Sequence, residues 1–216
     1  MLIFIAVLLA FIVAVYVFMQ QPHFGKMPSG KRLEKILTAP NFRDGKFQNE
    51  SFTPDLKEGV SYFTVFKDFF FNKSTRNIPS VKLPSKKTNL LNLSPEKNVL
   101  VWFGHSSYFL QIDGKKILMD PVLSGSASPV KFTTRSFAGS DVYTPEEIPL
   151  IDYLFLSHDH WDHLDFETIT KLRPQIKRVI TGLGVGEHLE HWGYDPAIIT
   201  EKNWNEEVIL DDGISS

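Results

Sequence analysis

Residues 1–19 read MLIFIAVLLAFIVAVYVFM and carry no charged side chain. Such a run cannot form the water-facing surface of a soluble domain, so the fold must be built from the residues behind it. At about 1.5 Å of rise per residue, roughly 20 apolar residues in a helix cross a hydrocarbon core. A cleavable signal peptide would need a basic start, a shorter apolar core and small residues at the cut. No Lys or Arg precedes the run, and QQPHFGKMPSG behind it offers no A-x-A site. The expectation is therefore a single-pass transmembrane anchor over residues 1–20. Lys26, Lys31 and Arg32 come after it, and only the terminal amine precedes it. That imbalance places the rest of the chain on the cytoplasmic side.

The 216 residues allow one domain, or one domain plus an extension. With 23 basic against 25 acidic residues the chain lacks the basic excess of a nucleic-acid binder, and no nucleic-acid partner is expected. Cysteine is absent, which excludes disulfides, thiolate ligands and a thiol nucleophile.

Residues 21–97 are poor in regular pattern and rich in Pro, Asn, Ser and Gly. They read as an extended N-terminal wrap with one short helix. That helix is VSYFTVFKDFFF, residues 60–71, whose apolar positions recur near the helical period. We expect it to dock on the main domain. The alternative is an interfacial helix beside a membrane, for which Lys67 and Lys73 are the nearby cations.

Regular pattern begins at residue 98. VLVWF (99–103), YFLQI (108–112) and KKILM (115–119) read as strands, with Asp113–Gly114 a hairpin turn between the last two. IDYLFL (151–156) is apolar on both faces and reads as a buried strand. Asp165 is placed to cap a helix over FETITKLR. KRVITG (177–182), AIIT (197–200) and EEVIL (206–210) read as strands, and residues 184–193 as a short helix closed by Gly193. A meander and then alternating helices and strands suggest a sheet with helices on one face.

Between the strand at 151–156 and the next helix stands SHDHWDHLD, with three of the chain's seven histidines. His158, His160, Asp162 and His163 form H-x-H-x-D-H. Imidazole and carboxylate are the ligands a zinc-like ion takes where thiolate is lacking. A loop leaving a strand lets residues two apart converge on one ion. Asp162 and His163 can address a second ion about 3.5–4 Å from the first, the spacing of two-metal hydrolases. The position also fits, since sites in sheet proteins cluster past the carboxyl ends of strands. Asp159 faces away from its ligand neighbours and is a supporting residue. GLGVG (182–186) could offer amides to a phosphate but reads better as a tight turn. His188 and His191, beside Glu187 and Glu190, read as a solvated helix face.

HDHWDHLD resembles the metal-binding signature of the metallo-β-lactamase-fold hydrolases. A second block, VWFGHSSYFLQIDGKKILMDPVLSGSASP (101–129), is similar to the branch that contains N-acyl-phosphatidylethanolamine-hydrolysing phospholipase D and its bacterial membrane-associated relatives. NFRDGKFQN (41–49) resembles the N-terminal wrap of those relatives. The resemblance covers roughly residues 40–216. It implies an α+β, αββα-sandwich fold, here its N-terminal half over residues 98–216. It implies two zinc ions, one held by His158 and His160 and the other by Asp162 and His163. Asp162 would also orient the bridging hydroxide and so act in catalysis. Asp120 matches the family's buried aspartate that braces the histidine loop. His105 matches a signature position near the site, with a histidine holding a turn as the plainer reading.

The family's site also draws ligands from a second half, and no histidine comes after His191 here. Asp211 and Asp212 are poor substitutes for the family's bridging aspartate. The expectation is thus a truncated product or fragment, a weak metal binder with little turnover. For the complete protein it is a membrane-anchored zinc phosphodiesterase acting on a lipid-like substrate. The alternatives are a metal-dependent lactonase or ester hydrolase acting on another small molecule, and a non-catalytic membrane-anchored binding or regulatory protein.

Overall fold

The structure, a computed structural model, describes residues 1–72 and 76–210. The expectations for Lys73, Asp211 and Asp212 lie outside the described residues. The apolar run forms one helix, α1 (Leu2–Met19), with no residue buried. It is long and apolar enough to cross a membrane.

Past residue 98 the alternation of apolar residues builds a single six-stranded sheet. Its strands are β3 (Val99–Gly104), β4 (Ser107–Ile112), β5 (Lys115–Met119), β6 (Ile151–Leu156), β7 (Ile176–Gly182) and β8 (Ile199–Lys202), paired in chain order. β3, β4 and β5 form an antiparallel meander. β5 to β8 are parallel. The parallel pairing needs crossovers. Two of these carry helices α4 (Phe166–Leu172) and α5 (Gly186–His191). The strand period of two then separates the faces. Phe109, Leu118, Leu154 and Val179 point to one face and are fully buried with Ile169, Leu172 and Leu189 of the helices. Each such side chain contributes about 1.5–3 kcal/mol by leaving water. On the other face Tyr153 and Ile180 pack with Val208 and Leu210, while Leu100 and Trp102 remain 63% and 68% exposed.

The expected strands at 99–103, 108–112, 115–119, 151–156 and 177–182 are present within a residue or so. Two others differ. AIIT begins as a 3-10 turn, Pro196–Ile198, because Pro196 fixes the first φ and the Asp195 carboxylate caps the Ala197 amide at 2.9 Å. The strand therefore starts at Ile199. Residues 206–210 do not form a strand of the sheet among the described residues; Val208 and Leu210 instead bury themselves on its open face.

The wrap is more structured than its composition suggests. It contains two α-helices rather than one: α2 (Gly30–Leu37), which buries Ile36, precedes α3 (Tyr62–Phe71). Between them Phe42–Arg43 (β1) and Lys46–Phe47 (β2) form a hairpin. Its Asp44–Gly45 turn takes φ values of 54° and 77°, the left-handed pair of a type I′ turn. The expectation that the 60–71 helix docks on the main domain is not met. α3 is capped by Ser61, whose hydroxyl accepts from the Thr64 amide at 3.2 Å, yet none of its residues is buried. Tyr62, Phe63, Val65, Phe66, Phe69 and Phe70 share one face at the helical period, opposite Thr64, Lys67 and Asp68, and all six remain exposed.

Candidate metal centre

The sheet register brings three segments to one end. β5 and β6 run parallel, so Asp120 and the loop 157–165 leave adjacent strands side by side. The β3–β4 turn, with His105, comes to the same end because Tyr108 pairs with Met119. The loop winds as a tight turn in which the amides of His163 and Leu164 both donate to the His160 carbonyl, at 2.9 and 2.7 Å. Its far end is pinned by Asp165. That carboxylate caps α4 at the Glu167 amide, 3.2 Å, and accepts from the Ser124 amide, 3.0 Å, and the Thr168 hydroxyl, 2.5 Å.

Asp120 is 2% exposed and sits at φ 40°, an unusual conformation for a non-glycine residue. Its carboxylate accepts from the Ser157 amide at 2.8 Å and the Ser157 hydroxyl at 2.7 Å, and lies 2.8 Å from His163 Nδ1. A carboxylate at Nδ1 fixes the tautomer that leaves Nε2 with a free lone pair, the arrangement that orients metal-ligating histidines. His163 Nε2 is 3.3 Å from His105 Nε2, and Asp162 Oδ2 is 3.1 Å from His105 Nε2 and 3.8 Å from His163 Nε2. The ligand atoms of His105, Asp162 and His163 thus all lie within 4.8 Å of one another. The His158 ring stands 4.0 Å from that of His163 and 4.6 Å from that of His160. Burial, then the neighbouring His163 and His160, push the His158 pKa down, which favours the neutral imidazole a metal needs.

The residues singled out in the sequence therefore meet at one strand end, with two differences. His105 holds a turn at φ 45°, where its carbonyl accepts from the Trp102 indole at 2.9 Å, and its ring also faces Asp162 and His163. The α5 polar residues are a solvated face only in part: His191 is exposed and Glu190 half-buried, but Glu187 and His188 are 7% and 8% exposed. His188 Nε2 lies 3.6 Å from Asp159 Oδ2, and this contact is the main cause of a lowered Asp159 pKa. The GLGVG turn keeps its amides for the protein, since those of Gly184 and Gly186 donate to Glu201 Oε1 at 2.7 and 3.0 Å.

Sequence reasoning missed the residues that cover α5 and the loop. Arg32 of α2 donates to Glu187, Glu190 and Glu201 at 2.6, 2.5 and 2.7 Å. His23 and Phe24 place their rings 5.6 and 5.5 Å from Trp161 of the loop. Burial holds the His23 pKa below its ordinary value. These contacts join residues well over a hundred positions apart, so no local spacing announces them.

The chain is similar to several known proteins. Residues 115–214 match the family described as Beta-lactamase superfamily domain. An uncharacterized Mycobacterium tuberculosis protein is 33% identical over 189 residues, covering 81% of this chain and 47% of that protein. The Caenorhabditis elegans N-acyl-phosphatidylethanolamine-hydrolyzing phospholipase D 1 is 32% identical over 183 residues, covering 76% of this chain and 50% of that protein. A metal-dependent hydrolase of Aeropyrum pernix is 38% identical over 79 residues, covering 36% of this chain and 27% of that protein. The chain spans about half the length of the first two relatives. Through its residues 115–214 the chain carries a domain of the beta-lactamase superfamily, with the metallo-β-lactamase fold.

Proposed function

We propose that this chain belongs to a metal-dependent hydrolase whose ions are held by His158, His160, Asp162 and His163, with His105 adjacent. The observation that carries the reading is the buried Asp120 carboxylate against His163 Nδ1, with His163 Nε2 turned toward Asp162 and His105. Neutral imidazoles and a carboxylate suit zinc, and two zinc ions are our assignment. When bound, such ions acidify water toward a pKa of about 7 and polarise the oxygen of a scissile ester. Asp162, at 43% side-chain exposure, is open enough to hold and orient the attacking water. Asp120 keeps the His163 ring in place throughout by the bond to Nδ1.

The substrate we assign is a lipid-like phosphodiester. The named nematode relative supports this, and so does the position of α1. Phe18, in its last turn, lies 5.2 Å from Phe24, whose ring lies 5.5 Å from Trp161. With α1 as a single-pass anchor, the metal loop stands two ring contacts from the membrane exit, near the headgroups of a lipid. The positive flank, Lys26, Lys31 and Arg32, favours the cytoplasmic side.

The test is metal content and hydrolysis by the chain purified in detergent micelles. Plasma emission should find zinc in the wild type and little in His158→Ala/His160→Ala. Release of a phosphatidic acid product from N-acyl-phosphatidylethanolamine vesicles, set against a lactone and a carboxyl ester, assigns the bond. Equal metal content in wild type and double variant would remove the metal reading. Hydrolysis of the lactone or carboxyl ester alone would remove the phosphodiester one.

A further inference from the structure

The ligand positions of H-x-H-x-D-H alternate with two residues, Asp159 and Trp161, whose side chains meet other parts of the protein. Both meet something anchored by the same short segment. Trp161 is flanked by the rings of His23 and Phe24. Asp159 faces His188 Nε2. The other nitrogen of His188, Nδ1, accepts from the Lys26 backbone amide at 3.1 Å. That bond makes Nδ1 the acceptor, so in the neutral ring Nε2 carries the proton, on the side of the ring that faces Asp159 at 3.6 Å. Gly25 passes so closely over the ring that a Cβ there would fall 2.0 Å from His188 Nδ1, and its φ of 67° is itself left-handed. The segment is fixed from both sides of this crossing. The Trp192 indole donates to the Pro22 carbonyl at 2.8 Å, and Lys26 and Arg32 pair with Glu187 at 2.7 and 2.6 Å.

We propose that residues 22–32 form a clamp that preorganises the metal-binding loop, with His188 the positioning residue through which the clamp's backbone acts. The two non-ligand residues between the ligands are the handles: Trp161 is held by ring contacts and Asp159 by His188. With both handles held, the turn that carries His158, His160 and Asp162 has fewer arrangements open to it. The ordering entropy of these ligands is then met during folding rather than when metal binds. The proposal rests on the reading of this loop as a metal site.

The experiment uses the full chain in micelles, with zinc affinity from chelator competition and hydrogen exchange of the 158–164 amides measured without metal. Gly25→Ala should weaken zinc about 10–100-fold, the usual effect of losing a partner behind a ligand. It should speed exchange in the loop while leaving β6 and β7 protected. Two substitutions at His188 separate positioning from packing. Asn can keep an acceptor for the Lys26 amide but reaches no proton to Asp159, and should weaken zinc about as much. Gln can place an N–H where Nε2 stands and should recover affinity relative to Asn. Lys67→Ala, on exposed α3 and outside the clamp, should match the wild type. Wild-type zinc affinity and loop exchange in both Gly25→Ala and His188→Asn would overturn the proposal. Equal affinity of the Asn and Gln variants would overturn the role of His188. If the wild type bound no zinc while loop exchange still quickened in Gly25→Ala and His188→Asn, the metal reading would fail and the clamp would stand.

Discussion

Two stretches of the N-terminal wrap look alike in composition and behave differently in the fold. Residues 22–37 and residues 60–72 both mix aromatic or aliphatic side chains with lysines, and both contain a short helix. The first is the less apolar of the two, yet it is the one bound to the body. Its Arg32 guanidinium, 17% exposed, meets carboxylates from α5 and β8, and Ile36 is buried at 5%. The second presents Phe63, Phe69 and Phe71 at 69–76% exposure and pairs mainly with itself, as in the Phe66–Phe70 contact at 4.5 Å. Apolar content does not by itself dock a segment. Docking here comes from a charge that three buried or half-buried carboxylates require and from a backbone that one histidine and one indole require.

The largest effect that tests this contrast is Arg32→Met. It leaves Glu187, Glu190 and Glu201 without their shared cation, and removing one partner from a desolvated cluster costs about 3 kcal/mol. Urea unfolding monitored by far-UV circular dichroism should show that loss. Limited trypsin digestion should show its location. In the wild type Lys57 and Lys67 should be cut well before Lys26 and Lys31, and in Arg32→Met this order should collapse. An unchanged order would mean that the ring contacts alone hold the segment.

A smaller effect is expected from pH. The hydrogen bond from Lys26, and then Arg32, hold the Glu187 pKa below the ordinary glutamate value against the opposing effect of burial. A depressed carboxylate contributes stability that is present above its unfolded pKa, about 4.3, and is lost as pH falls through the folded value. The urea midpoint of the wild type should therefore fall below about pH 4.3, and that of Glu187→Gln should fall less. Identical pH profiles would remove Glu187 from the account. The smallest effect belongs to the other stretch. Phe66→Ser with Phe70→Ser should change stability by under about 0.5 kcal/mol, because surface substitutions away from packed contacts rarely do more. A larger loss would show that α3 is covered in the folded protein.

The sequence alone determined what local periodicity and local chemistry can specify. Apolar residues, alternating or in a continuous run as in β6, give β3 to β7, Asp165 gives the start of α4, and an uncharged run gives α1, because each signal sits in a few adjacent residues. The spacing of His158, His160, Asp162 and His163 was legible for the same reason. The start of β8 was displaced by a proline turn, and residues 206–210 obey the burial of two side chains rather than a ladder. Tertiary structure decided the rest. Only the parallel register of β5 and β6 sets Asp120 against Ser157 and His163. Only the path of the wrap brings Gly25, Lys26 and Arg32 over α5. His188 could not be told from a solvent-facing helical histidine, since its partners, Lys26 and Asp159, lie far from it in sequence on separate segments. Periodicity reports which face of an element is buried; it carries no information about which distant segment will lie across that face.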